Sequence, residues 1–450
     1  MKLLDNTTSL CPVCLKEIAA KVVSSKGVVY LEKECSEHGR FKAKHVWDDE
    51  KIYKFIRSLP IKDKKSAEIL TLNLTSRCNQ SCPYCYANAN DSRYSFDMDK
   101  RKIKRMLDAF DKKFKGSTVF LSGGEPTVRQ DLFSIVRYIS SRGYRVGIFT
   151  NGKKLTDEHY VKKLKDSGVS QIILQFDTFN DKLYKELRGE PLLDKKMKVI
   201  ANLKKYNLHT FIFTMLVKGK NLSEIKQMMQ FAAKNNDIVK VMGFSHVWKT
   251  GRAGKYKETT TCSVVREFIK QTGISLDEIF DSTTFGFYFF KILQKLKGKE
   301  ATVEPSCELR CYVHFDGLNG LEPITLSKIL DLAAINPILK KIGNTENKII
   351  MLGKLIIHVP QLTYALIKSL KNKFAREILA NTIKAALSIT KSRMYTPISS
   401  ILIVTVPSAE DIDLKLARNC NFLSDMPESD DINSLCIRQM FYNKFFRQQQ

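Results

Sequence analysis

The chain has 450 residues, 43% of them hydrophobic and 10% aromatic, with 74 Lys and Arg against 47 Asp and Glu for a net charge of +27. That length excludes one small domain and that apolar content excludes a disordered chain, so about two to four folded units are expected. The charge implies an anionic partner, whether a phosphorylated metabolite, nucleic acid or an anionic membrane surface, or else only a lysine-rich solvated face.

Eleven cysteines fall in local clusters, and the start MKLLDNTTSL lacks the charged-then-apolar pattern of a secretory signal. Both features imply the reducing cytoplasm, where cysteines serve more readily as metal ligands than as disulfides. No uncharged apolar run reaches the roughly 18 residues of a membrane span, so no transmembrane helix is expected.

Residues 1–60 read as a small separate unit. Cys11-Pro-Val-Cys14 is a C-x2-C knuckle, KVVSSKGVVYLEKEC reads as a hairpin about Lys26-Gly27, and Cys35-Ser-Glu-His38 closes the set. Cys11, Cys14, Cys35 and His38 make four soft ligands for one tetrahedral metal, zinc or rubredoxin-like iron. The plain alternative is chance pairing of cysteines, and the Gly39 after His38 leaves that fourth ligand replaceable. A unit this small has little core, so the metal would supply much of its folding free energy.

From about 66 to 255 strand-like and helix-like runs alternate. The strands are Ile69–Thr75, Thr118–Ser122, Arg145–Thr150, Gln171–Phe176, Thr210–Val217 and Val239–Phe244, and the helices are 98–114, 130–142, 157–167, 181–206 and 222–234. Such alternation means βαβ units and a parallel sheet, here an incomplete α/β barrel of six repeats with functional groups at the C-terminal strand ends. Directly after the first strand comes LTSRCNQSCPYCY, with Cys78, Cys82 and Cys85 in the pattern C-x3-C-x2-C. Three thiolates on one loop can hold three irons of a 4Fe–4S cluster and leave one iron open. A zinc loop or three unrelated cysteines are the alternatives. Other strand ends carry Gly123-Gly124-Glu125-Pro126, Thr150-Asn151-Gly152, Gln175-Phe176-Asp177, and a last segment with Ser245, His246 and Gly251-Arg252. Glycines there admit a ligand to the backbone, and the Glu125 carboxylate suits an amino group.

The C-x3-C-x2-C loop with Tyr84 before its last cysteine, followed by GGEP after the second strand, resembles the radical S-adenosylmethionine superfamily. The resemblance implies that Cys78, Cys82 and Cys85 bind the cluster, and that S-adenosylmethionine chelates the open iron. It implies reductive cleavage to a 5′-deoxyadenosyl radical, which abstracts hydrogen from an unactivated carbon. By position, Gly123, Gly124 and Glu125 would hold the methionine amino group and Tyr84 would sit near adenine. Asn151, Asp177 and Arg188 would serve as ribose and carboxylate contacts. It further implies an electron donor such as a ferredoxin. The N-terminal knuckles, the segment LQFDTFNDKLYKELRG (174–189) and the last two cysteines resemble an archaeal-type branch of tetraether lipid synthases and pterin-modifying relatives.

Residues 256–450 read as an α-rich, cluster-binding extension. Cys307, Cys311, Cys420 and Cys436 would ligate an auxiliary 4Fe–4S cluster, with some of them buried thiols on the plainer reading. CELRCYVHFDGLNG and NFLSDMPESDDINSL depart from that branch's pattern, which puts the named product in doubt. Residues 348–393 hold nine Lys/Arg and one acid, Glu377, with Leu352, Leu355, Ile356, Val359, Leu362 and Leu366 at helical spacing. This stretch reads as a basic amphipathic helix, kinked or split at Pro360, that either packs on the core or lies on an anionic bilayer.

The expected function is therefore hydrogen abstraction from a lipid or isoprenoid chain with carbon–carbon bond formation. The alternative is methylation or modification of a soluble pterin-type cofactor. A metal-stapled nucleic-acid-binding protein is the rival of another class, although no nucleic-acid module, P-loop or Ser–His–Asp arrangement appears. The expected place is the cytoplasm, with peripheral contact to the inner membrane surface.

Overall fold

The computed structural model describes residues 1–60, 69–91, 95–114, 117–248, 250–252, 259–296, 307–315, 322–376, 398–405, 407–418, 422–425 and 432–434. The N-terminal residues form an antiparallel sheet in chain order: β1 (Lys2–Leu10), β2 (Glu17–Ser25), β3 (Val28–Cys35) and β4 (Gly39–Asp49). The expected hairpin is β2–β3. It turns through Lys26 at φ 50° and Gly27 at φ 78°, a pair of positive values that matches the twist of the flanking strands. Two further strands flank it, and Val22, Leu31 and Trp47 are buried with no exposed surface.

The six expected barrel strands are all present: β5 (Ile69–Thr75), β6 (Thr118–Gly123), β7 (Arg145–Thr150), β8 (Val169–Gln175), β9 (His209–Leu216) and β10 (Val239–His246). They lie side by side and parallel in that order. Six of the seven β5 residues are buried, so both faces are covered, as a parallel strand requires. The expected helix over 181–206 is two helices, Asp181–Arg188 and Leu193–Lys205. Gly189 caps the first at φ 88°, Pro191 follows, and Asp181 Oδ1 accepts the Leu192 and Leu193 N–H groups at 2.7 and 2.8 Å.

The C-terminal extension is helical, as expected, over Thr261–Thr272, Leu276–Leu296, Leu332–Gly343 and Lys348–Ser369. It also supplies strands that the sequence reading did not assign. β11 (Glu308–Phe315), β12 (Pro323–Thr325) and β13 (Ile398–Val404) continue the sheet beyond β10, with β13 parallel to it. β14 (Phe422–Asp425) and β15 (Ile432–Ser434) continue it beyond β5. The result is one 11-stranded sheet in which the barrel strands have no free edge. At the second join, buried Asn73 Nδ2 donates to Ser424 Oγ at 2.8 Å, and that hydroxyl donates to Thr71 O at 3.1 Å.

Pro360 neither splits nor ends the helix Lys348–Ser369. It lies on the exposed side of the helix. Among the described residues this helix alone is long and apolar enough, by length and composition, to cross a bilayer, with mean hydropathy 1.5 over its 18-residue window. No uncharged run of 18 residues lies in it, since Lys354 interrupts the apolar stretch without spoiling the average. The basic stretch expected to reach 393 is described only to 376.

The N-terminal sheet is held by the segment 407–418. Thr7 Oγ1 donates to Asp413 Oδ1 at 2.6 Å, Ser9 Oγ to Ile412 O at 2.7 Å, and buried Lys33 Nζ to Ala409 O at 2.7 Å. Asp413 also caps the helix Leu414–Ala417 through the Lys415 and Leu416 N–H groups. Asp413→Ala should therefore cost about 2–3 kcal/mol in urea unfolding followed by Trp47 fluorescence. A loss under about 0.5 kcal/mol would contradict this anchoring role.

Candidate active site and metal centre

The loop after β5 carries the three central cysteines. It is shaped by asparagines that accept left-handed backbone, Asn88 at φ 46° and Asn90 at φ 65°. Asn90 Oδ1 accepts the Cys78 N–H at 2.7 Å, and its Nδ2 donates to the Cys78 and Gln80 carbonyls at 2.9 and 3.2 Å. Arg252, from the segment after β10, clamps the other side. Its Nε donates to Cys82 O at 3.0 Å, its Nη1 to Ala89 O at 2.7 Å, and its backbone N–H to Cys85 O at 3.0 Å.

The Gly123-Gly124 turn meets this loop backbone to backbone. Gly124 N–H donates to Thr75 O at 2.7 Å and Glu125 N–H to Arg77 O at 2.9 Å. A Cβ on Gly124 would lie 2.3 Å from Arg77 O, and one on Gly123, at φ 125°, 2.3 Å from Thr75 O. Only glycine permits this approach. It places Glu125, 1% exposed, beside the end of β7. Its Oε1 accepts from Thr127 N–H (3.2 Å), Thr127 Oγ1 (2.6 Å) and Thr150 Oγ1 (2.8 Å), and its Oε2 from Asn151 N–H (2.7 Å). Burial pushes its pKa up, and these donors pull it back.

Asn151 is brought onto the cysteine loop, its Nδ2 donating to Asn79 Oδ1 at 2.8 Å and lying 3.9 Å from Cys78 Sγ. Asp177, with no exposed surface, has both oxygens engaged by the protein. Oδ2 accepts from Arg188 Nε at 2.6 Å and from Gln175, and Oδ1 accepts Met215 N–H at 3.0 Å. It therefore faces Arg188 rather than open space, and Arg188 in turn lies beside Cys82. Tyr84 packs with Leu187, Val217 and Val247. The sequence reading noted Arg252 without a role and missed Asn90, Lys153 and Lys196. Lys153 Nζ donates to Asn79 O at 2.9 Å and pairs with Glu190 at 2.6 Å. Lys196 Nζ, buried, donates to Asn151 O at 2.7 Å and to Gln175 Oε1 at 2.9 Å, joining the ends of β7 and β8. No spacing marks such residues; only the fold gathers them.

The thiols suit a cluster. Cys82 is buried and Cys78 and Cys85 half-buried, and the Ala89 N–H points at Cys85 Sγ from 3.4 Å. Burial, and then the Glu125 charge, push the Cys78 thiol up to about 12, and burial also raises Cys82 although Arg188 pulls it down. Such thiols stay protonated until iron displaces the protons. Polar hydrogens aimed at sulfur suit the negative charge of a thiolate-bound cluster.

In the N-terminal unit, the ligand atoms of Cys11, Cys14, Cys35 and His38 all lie within 4.8 Å of one another. His38 Nδ1 is 3.7 Å from Cys11 Sγ and 3.5 Å from Cys35 Sγ, and Cys14 Sγ is 4.0 Å from Cys35 Sγ. Zinc–sulfur bonds of about 2.3 Å in a tetrahedron give edges of about 3.8 Å, so the set fits, with His38 as the fourth ligand. Cys307 and Cys311 lie along one extended run, about 13 Å of chain apart by strand rise, and do not by themselves make a compact set. Burial raises Cys311 to about 12, and it joins the apolar core with Leu309 and Val313. Cys420 and Cys436 lie outside the described residues. A cavity of about 400 Å³ sits between the N-terminal sheet and the barrel rim, lined by Tyr30, Lys44, His246, Thr259, Ser408 and Asp411 among others.

Residues 72–232 match the radical SAM superfamily, and residues 3–48 match the HMPTM N-terminal zinc ribbon domain. The chain is 32% identical over 397 residues to the 7,8-dihydro-6-hydroxymethylpterin dimethyltransferase of Methanocaldococcus jannaschii, covering 79% of this chain and 78% of the relative. It is 31% identical over 177 residues to a probable GTP 3′,8-cyclase of Pyrococcus horikoshii, covering 38% of this chain and 54% of that protein. Among solved structures, Streptococcus suis SuiB bound to S-adenosylmethionine aligns at TM-score 0.39 and 17% identity, over 56% of this chain and 69% of that one. The chain belongs to the radical S-adenosylmethionine superfamily. It is an enzyme whose cofactors are a 4Fe–4S cluster and S-adenosylmethionine, and its ribbon site fits a mononuclear metal.

Burial pushes Lys196 down to about 7, against about 10.4 in an unfolded chain. Between those values the unfolded chain binds the extra proton, so stability should rise with pH across that window, by about 4 kcal/mol at most. In Lys196→Met this rise should vanish from urea unfolding measured at pH 7, 8.5 and 10; equal slopes in both proteins would refute it. Separately, His38→Ala should lower the metal content of the ribbon from about one Zn or Fe per chain toward none, read by elemental analysis after dialysis against a chelator.

Proposed function

We propose that the substrate is a soluble pterin-type heterocycle, modified at an unactivated carbon. The supporting observation is the reach of the similarity to the pterin dimethyltransferase. It extends over 79% of the chain, well beyond the barrel segment that matches the superfamily at large. The lipid chain expected from sequence rested on the outer cysteines and the basic apolar helix, and the relatives reported above name pterin and GTP chemistry instead.

On this reading Cys78, Cys82 and Cys85 hold the cluster. Bound together, the cluster and S-adenosylmethionine supply reductive cleavage of the sulfonium and hydrogen abstraction from carbon. The chain's own residues position these groups. Glu125 Oε2 carries one protein donor where Oε1 carries three, so Oε2 keeps capacity for an ammonium group. Gly123 and Gly124 set its place, and Asn151 ties it to the cysteine loop. Asp177 and Arg188 act behind Cys82, and Tyr84, Leu187, Val217 and Val247 wall the site against water. A ferredoxin-like donor delivers the electron, and an auxiliary cluster on Cys307, Cys311, Cys420 and Cys436 is a further part of the proposal.

Anaerobic incubation with S-adenosylmethionine and reductant tests the substrate, with a reduced hydroxymethylpterin and a host lipid extract in parallel. Pterin-dependent 5′-deoxyadenosine and a mass gain on the pterin are expected; dependence on the lipid fraction alone would reverse the assignment. Cys82→Ala should abolish cofactor cleavage while leaving the ribbon metal in place. Iron analysis should give about four cluster irons per chain, or about eight if the auxiliary site also fills.

A further inference from the structure

The helix Lys348–Ser369 is apolar on both faces. One seam, through Met351, Leu355, Leu362 and Ala365, packs with Leu332, Ile335 and Leu339. The other face carries Ile349, Ile356, Ile357 and Tyr364 at 79%, 71%, 70% and 72% exposure, continued by Ile350, Val359 and Ile367. A helix that is hydrophobic all round belongs in apolar surroundings, yet only 11% of this helix's most apolar window is buried in the protein.

Charge indicates what those surroundings are. Residues 355–367 contain no Asp, Glu, Lys or Arg, whereas 340–376 contain eight Lys/Arg and one acid, Glu346. The basic groups gather at the two ends: Lys340, Lys341 and Lys348 at one, Lys368, Lys371, Lys373 and Arg376 at the other. An apolar centre between cationic ends complements an anionic lipid surface, with acyl chains below and phosphates at the sides. A second copy fits worse, because a two-fold antiparallel contact along this helix would set basic end against basic end.

We propose that this helix docks the protein on an anionic bilayer. It lies along the surface with Ile356, Ile357 and Tyr364 at the acyl boundary and the exposed flanking Lys340, Lys341, Lys371 and Lys373 among the headgroups. It does not cross the membrane, because both ends are fastened to the protein. Lys348 Nζ donates to Leu296 O at 3.2 Å, Lys368 pairs with Asp331 at 2.8 Å, and Asp331 N–H donates to Ser369 Oγ at 3.2 Å. The docking does not depend on which substrate the barrel takes.

Sedimentation of the full chain with phosphatidylglycerol or phosphatidylcholine vesicles tests it. About tenfold or more preference for phosphatidylglycerol is expected. Ile356→Ser with Ile357→Ser keeps the net charge of +27, so bulk attraction is unchanged. It should nevertheless lower that binding about tenfold, with the thermal midpoint unmoved. Tyr364→Trp should shift its emission to the blue on phosphatidylglycerol vesicles. Equal binding by the double serine variant would reduce the effect to net charge and overturn the proposal. So would a dimer, seen by light scattering and lost in that variant, in a protein that ignores vesicles.

Discussion

Two stretches of main chain touch at the centre of this protein with no room for a side chain between them. The Gly123-Gly124 turn at the end of β6 donates into the backbone leaving β5, and a methyl group on either glycine would sit 2.3 Å from a carbonyl oxygen. Everything near the reaction depends on that contact. It fixes the height of the cysteine loop above the sheet, brings Glu125 to Thr150 and Asn151, and so couples three consecutive strand ends into one rigid rim. The buried carboxylate is tolerated there because four protein donors meet it.

Behind the rim lies a second tier of charge. Arg188 is held by Asp177 next to Cys82, and Lys196 bridges the β7 and β8 ends beneath. These groups set the electrostatic floor of the site. Burial disfavours thiolate at both Cys78 and Cys82, and the Arg188 cation offsets part of that cost at Cys82. The ribbon adds a metal site to an ordinary core: Ala20, Val22, Val29, Leu31, Val46 and Trp47 join the main apolar cluster, and four converging ligand atoms tie its two knuckles together.

How far the sequence speaks for this structure depends on whether a feature is local. The barrel strands, the hairpin at Lys26-Gly27 and both metal-ligand sets are local: each is written in period, turn chemistry or spacing within a few residues. Arg252, Asn90 and Lys196 are not, since each acts on backbone carbonyls, and carbonyls leave no mark in a sequence. The split at Gly189 was legible from Gly and Pro but was outweighed by the helical pattern on either side. The strands of the extension were missed because they pair with partners far away in the chain. Asp177 looked like a ligand contact from its strand-end position, and only the fold shows both its oxygens engaged by the protein.

The join between β14 and β5 carries a consequence for how the molecule is made. Phe422 pairs with Ile69, so the sheet edge beside the cysteine loop is closed by residues far along the chain from it. During synthesis the strand that leads into the cysteine loop waits, unpaired on that side, until residues 422–425 have left the ribosome. The edge next to the cysteine loop thus closes late, which gives the nascent chain a long interval in which that loop is reachable from outside.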